Sequence, residues 1–569
     1  MRILFLTHAF NSLTQALYIA LGEGGHDVTV EFDINDEVTR EAVALAKPDL
    51  IVAPFLKRAI PEEIWRRYLC LIVHPGIMGD RGPSSLDWAV LEGEKEWGVT
   101  VLKANAEMDA GDILASRTFP MRNTTKASLY RHEVTDAACE CILEVVDGFE
   151  KGRLTPRPLD DADDDIHGRL RPLMQQSDRA IDWEHDGADT IVRKIRCADG
   201  FPGVRDNLFG RDFFLYDGHK EESFCGAPGT IIARCGPAIC LGTGDGAVWV
   251  GHLREPHGAM PFKLPATQLL AQEVDGLPEL SIESCSGYRE IWYEQECGIG
   301  YLHFPFYNGA MGTHQCQRLL AAYREACQRD TRVIVLMGGQ DFWSNGMHLN
   351  LIEAAGSAAD ASWENINAMD DLTEAIINTR SHLTVAALQG NAGAGGVFLA
   401  RACDQVWLRR GVILNPYYKD MGNLYGSEYW TYLLPLYAGE ASVKRITQSR
   451  LPMGSAEAVK LGLADAVLPS EQHAFCQQVS CCAESLAQVR GFAQLLVDKQ
   501  ARRERDEAAK PLAAYRQEEL AFMQRNFNGF DPSYHVARYN FVHKVPKSRT
   551  PLTIAAHRRI SDIIQEKAS

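Results

Sequence analysis

The chain has 569 residues, of which 46% are hydrophobic and 23% are charged, and its formal net charge is −17. This length predicts two to four domains, and the composition excludes a disordered or fibrous protein. The acidic balance argues against general affinity for nucleic acid or acidic membranes, so any anion site must be local. The 15 cysteines lack zinc-type CxxC pairs, so we expect reduced thiols and no metal centre. The apolar start is too short for a signal peptide or a membrane span, which predicts a cytoplasmic protein.

Short apolar runs alternate with amphipathic stretches over the first 160 residues. The runs that predict strands are Ile3 to Leu6, Val28 to Phe32, Leu50 to Ala53, Leu69 to Val73 and Val99 to Leu102. Helical patterns, such as Leu13 to Leu21 and Glu37 to Ala46, lie between them. The alternation predicts an open parallel sheet, in which ligands bind beyond the carboxyl ends of the strands. His74 and Asp109 each follow a strand, so we expect them to meet at one edge.

The acidic run Asp160 to Asp165 predicts a linker, so the first domain spans 1–160. Residues 161–278 carry short apolar runs with glycine turns, which predict a small OB-like β-barrel. Those runs include Ile181 to Trp183, Ile195 to Cys197, Gly229 to Ala233 and Ala247 to Val250.

A second boundary, near Pro278 to Ser286, precedes a third domain of α/β alternation over 279–483. Its clearest elements are strands at Ile299 to Phe304 and Val333 to Met337, with a helix from Gln315 to Cys327 between them. Residues 484–569 predict a helical extension. This extension ends in a basic segment that contains Lys544, Lys547, Arg549, Arg558 and Arg559.

The first domain resembles the folate-dependent formyltransferases that act on methionyl-tRNA and on sugars. The resemblance covers about the first 265 residues and rests on Lys47 to Val52, His74-Pro75-Gly76, Arg81-Gly82-Pro83, Gly98 to Val101 and Met108 to Asp112. It implies that 10-formyltetrahydrofolate is the formyl donor. It also implies that His74 stabilises the developing oxyanion and that Asp109 takes or relays the proton of the acceptor. Gln15 and Arg131 are candidates for cofactor binding in this domain.

One position departs from the formyltransferase pattern. The family usually has an asparagine two residues before the histidine, and this chain has Ile72, which cannot donate a hydrogen bond. Either a backbone NH replaces that donor, or the acceptor is not the usual amine, and a thiol acceptor would suit the change. The alternative without function is that His74 ends a strand and Asp109 starts a turn.

The third domain resembles the crotonase superfamily of acyl-CoA enzymes. The resemblance rests on Phe342 to Leu349 and on Gly393-Ala394-Gly395-Gly396. It implies an oxyanion hole formed by the NH groups of Met347 and Gly395, with Gly346 against the bound thioester. The positions of the usual hydratase carboxylates hold Phe398 and Tyr417, so ordinary hydration of an enoyl thioester is disfavoured.

An aromatic stretch from Asn415 to Tyr432 contains Glu428. A carboxylate among rings is poorly solvated, so its pKa would be raised, as a catalytic base requires. The alternative is an amphipathic helix whose rings pack in the core while Glu428 faces solvent.

Together the two halves resemble the hydrogenase maturation proteins of the HypX (HoxX) type over nearly the whole chain. The resemblance implies that the formyl group passes to coenzyme A and that formyl-CoA is split into CoA and carbon monoxide, an iron ligand of [NiFe]-hydrogenase. Glu428 and Tyr417 would then form a base and proton-relay pair, and the resemblance leaves open which of the two is the base. Arg131, Lys544 and Arg558 are candidates for the CoA phosphates. Assembly proteins of the hydrogenase iron centre are implied as partners.

Two other functions stay open from the sequence. In one, the formyltransferase acts on an amine and the crotonase half is an acyl-CoA hydrolase or isomerase. In the other, the chain is a non-enzymatic CoA-binding scaffold for hydrogenase assembly.

Overall fold

The computed structural model describes residues 1–160, 166–258, 260–280, 285 and 287–559. The chain forms two compact units. The first contains Met1–Pro256, Pro265–Pro278 and the described residues from Pro546 onward, and the second contains His257–Leu264 and Glu279–Val545. Most of the predicted acidic linker (161–165), part of the second boundary (281–284 and 286) and the end of the basic tail (560–569) lie outside the described residues.

The first sheet has six strands in the order β2-β1-β3-β4-β5-β6. The strands are β1 (Arg2–Thr7), β2 (Asp27–Phe32), β3 (Leu50–Ala53), β4 (Cys70–His74), β5 (Glu96–Lys103) and β6 (Ile113–Pro120). The first four strands are parallel, β5 runs antiparallel to β4, and β6 runs antiparallel to β5, so only β5 opposes the direction of the others. The predicted strands are confirmed, but the sheet is mixed. A buried strand of either direction shows the same apolar run, so the sequence did not distinguish them.

Helices connect and cover this sheet. They are α1 (Ser12–Glu23), α2 (Asp36–Ala46), α3 (Glu62–Trp65), α4 (Ser85–Glu92), α5 (Lys126–Leu129) and α6 (Thr135–Glu150), with a π-helical turn at Tyr130–Val134. The first two have asparagine N-caps, since the side chains of Asn11 and Asn35 accept backbone NH groups of Thr14 and Val38. These caps fix where the helices begin.

The second sheet of the first unit is antiparallel, in the order β7-β8-β11-β10-β9, with β12 beside β11. Its strands are β7 (Val204–Leu208), β8 (Arg211–Glu221), β9 (Ile231–Cys235), β10 (Ala238–Gly242), β11 (Ala247–Arg254) and β12 (Leu264–Pro265). Among the described residues this pairing does not close into a ring, so the predicted barrel is an open sheet. Ile195 to Cys197, expected as a short strand, lies in helix α7 (Ala188–Ala198), since Ile191, Val192 and Ile195 are buried at helical spacing.

The second unit contains a six-stranded sheet, β13-β14-β15-β17-β19-β21, and a three-stranded sheet, β16-β18-β20. The strands are β13 (Trp292–Glu296), β14 (Ile299–His303), β15 (Val333–Leu336), β16 (Phe342–Ser344), β17 (Leu383–Leu388), β18 (Asn391–Gly393), β19 (Gln405–Arg409), β20 (Leu414–Asn415) and β21 (Ala466–Leu468). From β14 onward the large sheet is parallel. The small sheet is parallel as well, and it places the turns after its strands side by side.

The remaining helices lie in chain order as follows: α8 (Ala266–Leu269), α9 (Thr313–Ala326), α10 (Leu349–Ala354), α11 (Ala358–Ile377), α12 (Gly395–Arg401), α13 (Trp430–Ala438), α14 (Glu440–Gln448), α15 (Ser455–Lys460), α16 (Gln472–Ala487), α17 (Phe492–Ala509), α18 (Leu512–Asn528) and α19 (Ser533–Val542). Short 3₁₀ turns lie at Ser177–Arg179, Tyr307–Gly309 and Ala556–Arg558. None of the described helices combines the length and the apolar character needed to span a membrane.

The end of the chain returns to the first sheet. The NH of Val30 donates to the carbonyl of Ile554 at 2.9 Å, and the NH of Phe32 donates to Thr550 Oγ1 at 2.8 Å. Both donors lie on the edge strand β2. The predicted extension is therefore divided, with its helices in the second unit and its last described residues in the first.

Candidate active sites

The first candidate site lies where β4 ends. His74 is the last residue of β4, it is buried, and it pairs in register with Thr100 of β5. Its Nδ1 lies 3.6 Å from Asp109 Oδ2, so the structure brings together the histidine and the carboxylate that the sequence predicted at this edge. Asp109 has a φ of 56° and accepts the NH of Gly82 at 3.3 Å. The turn that carries it therefore fixes the direction of its carboxylate.

A second carboxylate, which sequence reasoning missed, holds the other side of the imidazole. Asp80 is fully buried, and its Oδ2 lies 2.9 Å from His74 Nε2. Arg171 Nε lies 3.2 Å from the other oxygen of Asp80. A Cβ on Gly76 would fall 2.5 Å from His74 Nε2, so only glycine leaves room for the pair. The ring is thus oriented by Asp80 while Nδ1 faces Asp109.

Ile72, the departure from the formyltransferase pattern, lies in the middle of β4. It is half-buried and packs against the cluster of apolar side chains on one face of the sheet. Its side chain offers no hydrogen-bond donor, so Ile72 itself does not replace the asparagine amide.

The second candidate site is built on the pair β16–β18. Ser344 pairs with Ala392, which lays the two glycine-containing turns beside each other. Gly346 has a φ of 77°, and a Cβ there would lie 3.6 Å from the nitrogen of Gly395. Gly395 is the first residue of α12, so its NH belongs to those that a helix leaves without an intrahelical acceptor. The half-buried Met347 follows Gly346 in the neighbouring turn.

The carboxylate of Glu428 lies against this turn. A Cβ on Gly395 would fall 2.0 Å from Glu428 Oε1, so the glycine is required by the carboxylate. Glu428 is 1% exposed and has a φ of 61°, in an irregular segment before α13. The amphipathic helix that would have turned this residue to solvent is therefore wrong. Burial, followed by the charge of Asp370, raises the pKa of Glu428.

Tyr418 is the hydroxyl in contact with this carboxylate. It donates to Glu428 Oε2 at 2.6 Å, and its ring stacks on Phe398 with the centroids 5.6 Å apart. Tyr417, which the sequence pairs with Glu428, donates instead to Asn415 Oδ1 at 3.0 Å and is half-buried. Burial raises the pKa of both phenols. Sequence reasoning missed Tyr418. Its only signal was its position beside Tyr417, because the segment from Tyr418 to Glu428 is irregular and no helix or strand period relates the two residues.

The predicted cofactor-binding side chains occupy several places. Gln15 lies on α1, where its Nε2 donates to the carbonyl of Phe10 at 2.9 Å, and Arg131 is half-buried in the adjacent π-helical turn. Lys544, in the second unit, is exposed over the ring of Phe541. Arg558, in the first unit, pairs with Glu31 at 2.5 Å and Glu41 at 2.7 Å, so its charge is already compensated.

Family models of two kinds match separate parts of the chain. The Formyl transferase family model matches residues 31–146, and the model of its C-terminal domain matches residues 173–268. The Enoyl-CoA hydratase/isomerase model matches residues 302–531. A methionyl-tRNA formyltransferase from Trichlorobacter lovleyi is 29% identical over 41% of this chain and 71% of its own length. The class is therefore a formyltransferase joined to a crotonase-like domain.

Relatives that match along the whole chain define the family. The hydrogenase maturation factor HoxX of Bradyrhizobium diazoefficiens is 56% identical over 98% of this chain and 97% of its own. A crystal structure of a HypX variant from Aquifex aeolicus has a TM-score of 0.95 and 47% identity, and it covers 99% of both chains. Another, of HypX in complex with tetrahydrofolic acid, also has a TM-score of 0.95 and 47% identity, and covers 98% of this chain and 99% of its own. The chain belongs to the HypX/HoxX family of hydrogenase maturation factors.

Proposed function

We propose that this protein forms carbon monoxide for the iron centre of [NiFe]-hydrogenase in two reactions. In the first, the thiol of CoA attacks the formyl carbon of 10-formyltetrahydrofolate, the C–N bond breaks, and the thiol proton ends on the folate nitrogen. In the second, formyl-CoA loses its formyl proton and its C–S bond, which gives carbon monoxide and CoA with its thiol restored. No external oxidant or reductant is needed.

The pair His74–Asp109 supports the first reaction. The imidazole is oriented by Asp80 and can stabilise the oxygen of a tetrahedral intermediate, and Asp109 can accept the proton of the attacking thiol. The tetrahydrofolic acid named for the Aquifex aeolicus structure is the product that this donor would leave. Gln15 and Arg131 remain proposed contacts of the cofactors in this unit.

The contact between Glu428 and Gly395 is the observation that carries the second reaction. Formyl-CoA has no α-carbon, so a base in a crotonase pocket can act only on the formyl C–H. The NH groups of Met347 and Gly395 would hold the thioester oxygen, which leaves the formyl hydrogen near Glu428 Oε1. Glu428 takes this proton, and Tyr417 keeps its proposed part as relay to the departing thiolate. Gly346 would lie against the thioester.

The CoA phosphates need cations, for which Lys544 and Arg558 are the remaining proposals. Arg558 would first have to leave Glu31 and Glu41. A cytoplasmic location and contact with the proteins that assemble the hydrogenase iron centre belong to the same proposal.

The deciding experiment supplies formyl-CoA to the purified chain in the presence of a reduced haemoprotein that reports carbon monoxide. We expect carbon monoxide from the unaltered protein and none above background from Glu428→Gln. Release of formate would identify a thioester hydrolase instead. Unchanged formyl-CoA with both proteins would leave a CoA-binding scaffold as the function.

A further inference from the structure

Three buried carboxyl groups meet behind the proposed thioester site. Asp370 of α11 and Glu519 of α18 join Glu428, and each is at most 1% exposed. The guanidinium nearest to them is that of Arg516, whose Nε lies 3.8 Å from Asp370 Oδ2. Arg516 also pairs with Asp371 at 2.7 Å. One shared cation cannot compensate three buried negative charges, so the group must retain protons near neutral pH.

Ser427 connects two of these carboxyl groups. Its Oγ lies 2.8 Å from Asp370 Oδ2 and 3.3 Å from Glu519 Oε2. A hydroxyl has one proton to donate, so it can serve only one of the two as donor. When it donates to Asp370, a proton on Glu519 completes the chain by pointing at the serine oxygen. The arrangement therefore holds one proton for two carboxyl groups.

The surroundings place the negative charge on Asp370. Its carboxylate accepts the NH of Glu428 at 2.8 Å as well as the Ser427 hydroxyl, and Arg516 lies beside it. Burial raises the pKa of both acids, to about 7 for Asp370 and to about 8 for Glu519, and Thr431 and Tyr429 supply only neutral donors to Glu519. Glu519 is therefore the member of the pair that keeps the proton.

Asp370 also contacts the backbone of Glu428. The NH of Glu428, a residue in the left-handed region with φ at 61°, donates to Asp370 Oδ1 at 2.8 Å. In that conformation Tyr418 occupies Glu428 Oε2, while Oε1 faces Gly395. The same aspartate thus contacts the backbone of Glu428 and presents a charge to it.

We propose that Asp370 and Glu519 are positioning residues for Glu428. The two acids share one proton through Ser427, and the single negative charge that remains on the pair makes Glu428 a stronger base. This inference rests on the function proposed above, in which Glu428 removes the formyl proton. Neither residue touches the substrate in this scheme.

The titratable and charged groups that surround Glu428 come from several elements. They are Tyr418, Tyr429, Cys316, Asp370, Glu519 and Arg516, with Asp371 and Glu374 around the guanidinium. Among these, Asp370 is the charged group that contacts Glu428 directly. Removing its charge should lower the pKa of Glu428, by about one unit, because a like charge nearby disfavours ionisation.

The test is the pH dependence of carbon monoxide release from supplied formyl-CoA by the full chain. The rate should rise with pH as Glu428 ionises, and Asp370→Asn should move this rise to lower pH by about one unit. Glu519→Gln, the matched control, replaces a neutral group by a neutral group and should leave the midpoint in place. An unmoved midpoint in Asp370→Asn, or equal shifts in both variants, would overturn the proposal.

Infrared titration measures the ionisation midpoint of Glu428 without turnover. The signal of Glu428 is the difference between the spectrum of each protein and that of the same protein with Glu428→Gln. If the unaltered chain releases no carbon monoxide, the proposed function fails, while this titration still decides the role of Asp370. Ser427→Ala supplies a further variant should Asp370→Asn not fold. It removes a hydrogen bond that stabilises the charge of Asp370, so a smaller shift in the same direction is expected, and no shift contradicts the proposal.

Discussion

Glu428 Oε1 lies so close to Gly395 that a Cβ on the glycine would fall 2.0 Å from it. The carboxylate of Glu428 therefore lies directly beside the first residue of α12. This relationship exists because β18 ends at Gly393 and α12 begins at Gly395, which leaves a single residue, Ala394, to reverse the chain.

Gly395→Ala should abolish the cleavage of formyl-CoA while folate-dependent formyl transfer continues. The added methyl displaces the carboxylate of Glu428, and a displaced general base costs on the order of 10²-fold or more in rate. Carbon monoxide release from supplied formyl-CoA measures the effect. Gly356→Ala is the control, since a Cβ at that exposed position meets nothing within 4 Å. Equal activity of Gly395→Ala and Gly356→Ala would contradict the role of Glu428 as the base.

Asp80→Asn should impair formyl transfer and leave cleavage intact. The amide cannot replace a carboxylate that orients His74, so we expect a loss of about 10²-fold in formyl-CoA formation from 10-formyltetrahydrofolate. Single-turnover formation of the thioester is the measurement. His74→Ala should lose at least as much. Loss of carbon monoxide release from supplied formyl-CoA in either variant would show that the two reactions do not use separate sites.

The stability of the second unit should fall as pH rises above the ordinary range of carboxyl groups. Burial raises the pKa of Glu428 and Glu519, so the folded state binds protons more tightly than the unfolded state. Their contribution is then complete below the unfolded pKa and is lost as pH rises through the folded pKa. Hydrogen exchange of α18, measured between pH 5 and pH 9, tests this. Glu519→Gln should flatten the dependence, and an unchanged slope would argue against it.

The segment from Thr550 to Arg558, which pairs with β2, should become less protected from amide exchange when Glu31 is neutralised. Glu31 is buried in β2 and accepts hydrogen bonds from Thr550, His557 and Arg558; these outweigh burial, which acts to raise its pKa, and the net pKa is lowered. Glu31→Gln leaves Arg558 without its buried partner, a loss of about 3 kcal/mol or more. Faster amide exchange of Ile554 is expected. Glu41→Gln, which alters an exposed pair with Arg558, should change it little.

Acidification should also speed the amide exchange of Ile554, as Glu31→Gln does. A carboxyl group with a lowered pKa stabilises the folded state above its unfolded pKa and loses that contribution as pH falls through the folded value. Protection of Ile554 that is independent of pH would contradict the role of Glu31.

Elements with strong local signals were predictable. The strands around His74 and the glycine turns at Gly346 and Gly395 follow from apolar runs and from residues that only a close backbone approach requires. The contact of His74 with Asp109 followed from both lying at one sheet edge. In contrast, Asp80 and Asp370 reach their partners through loop and helix packing that no sequence period encodes. The sequence also did not indicate the contact between Tyr418 and Glu428, because no local pattern reveals which of two adjacent phenols faces a distant carboxylate.

The hydrogen bonds from β2 to Thr550 and Ile554 have a consequence for biosynthesis. During translation, the backbone NH groups on the edge of β2 have no partner until more than 500 further residues have been synthesised, because their acceptors are Thr550 and Ile554. The first unit can complete its sheet only after the second unit has been synthesised. A product truncated before Thr550 therefore leaves the edge of the first sheet uncovered.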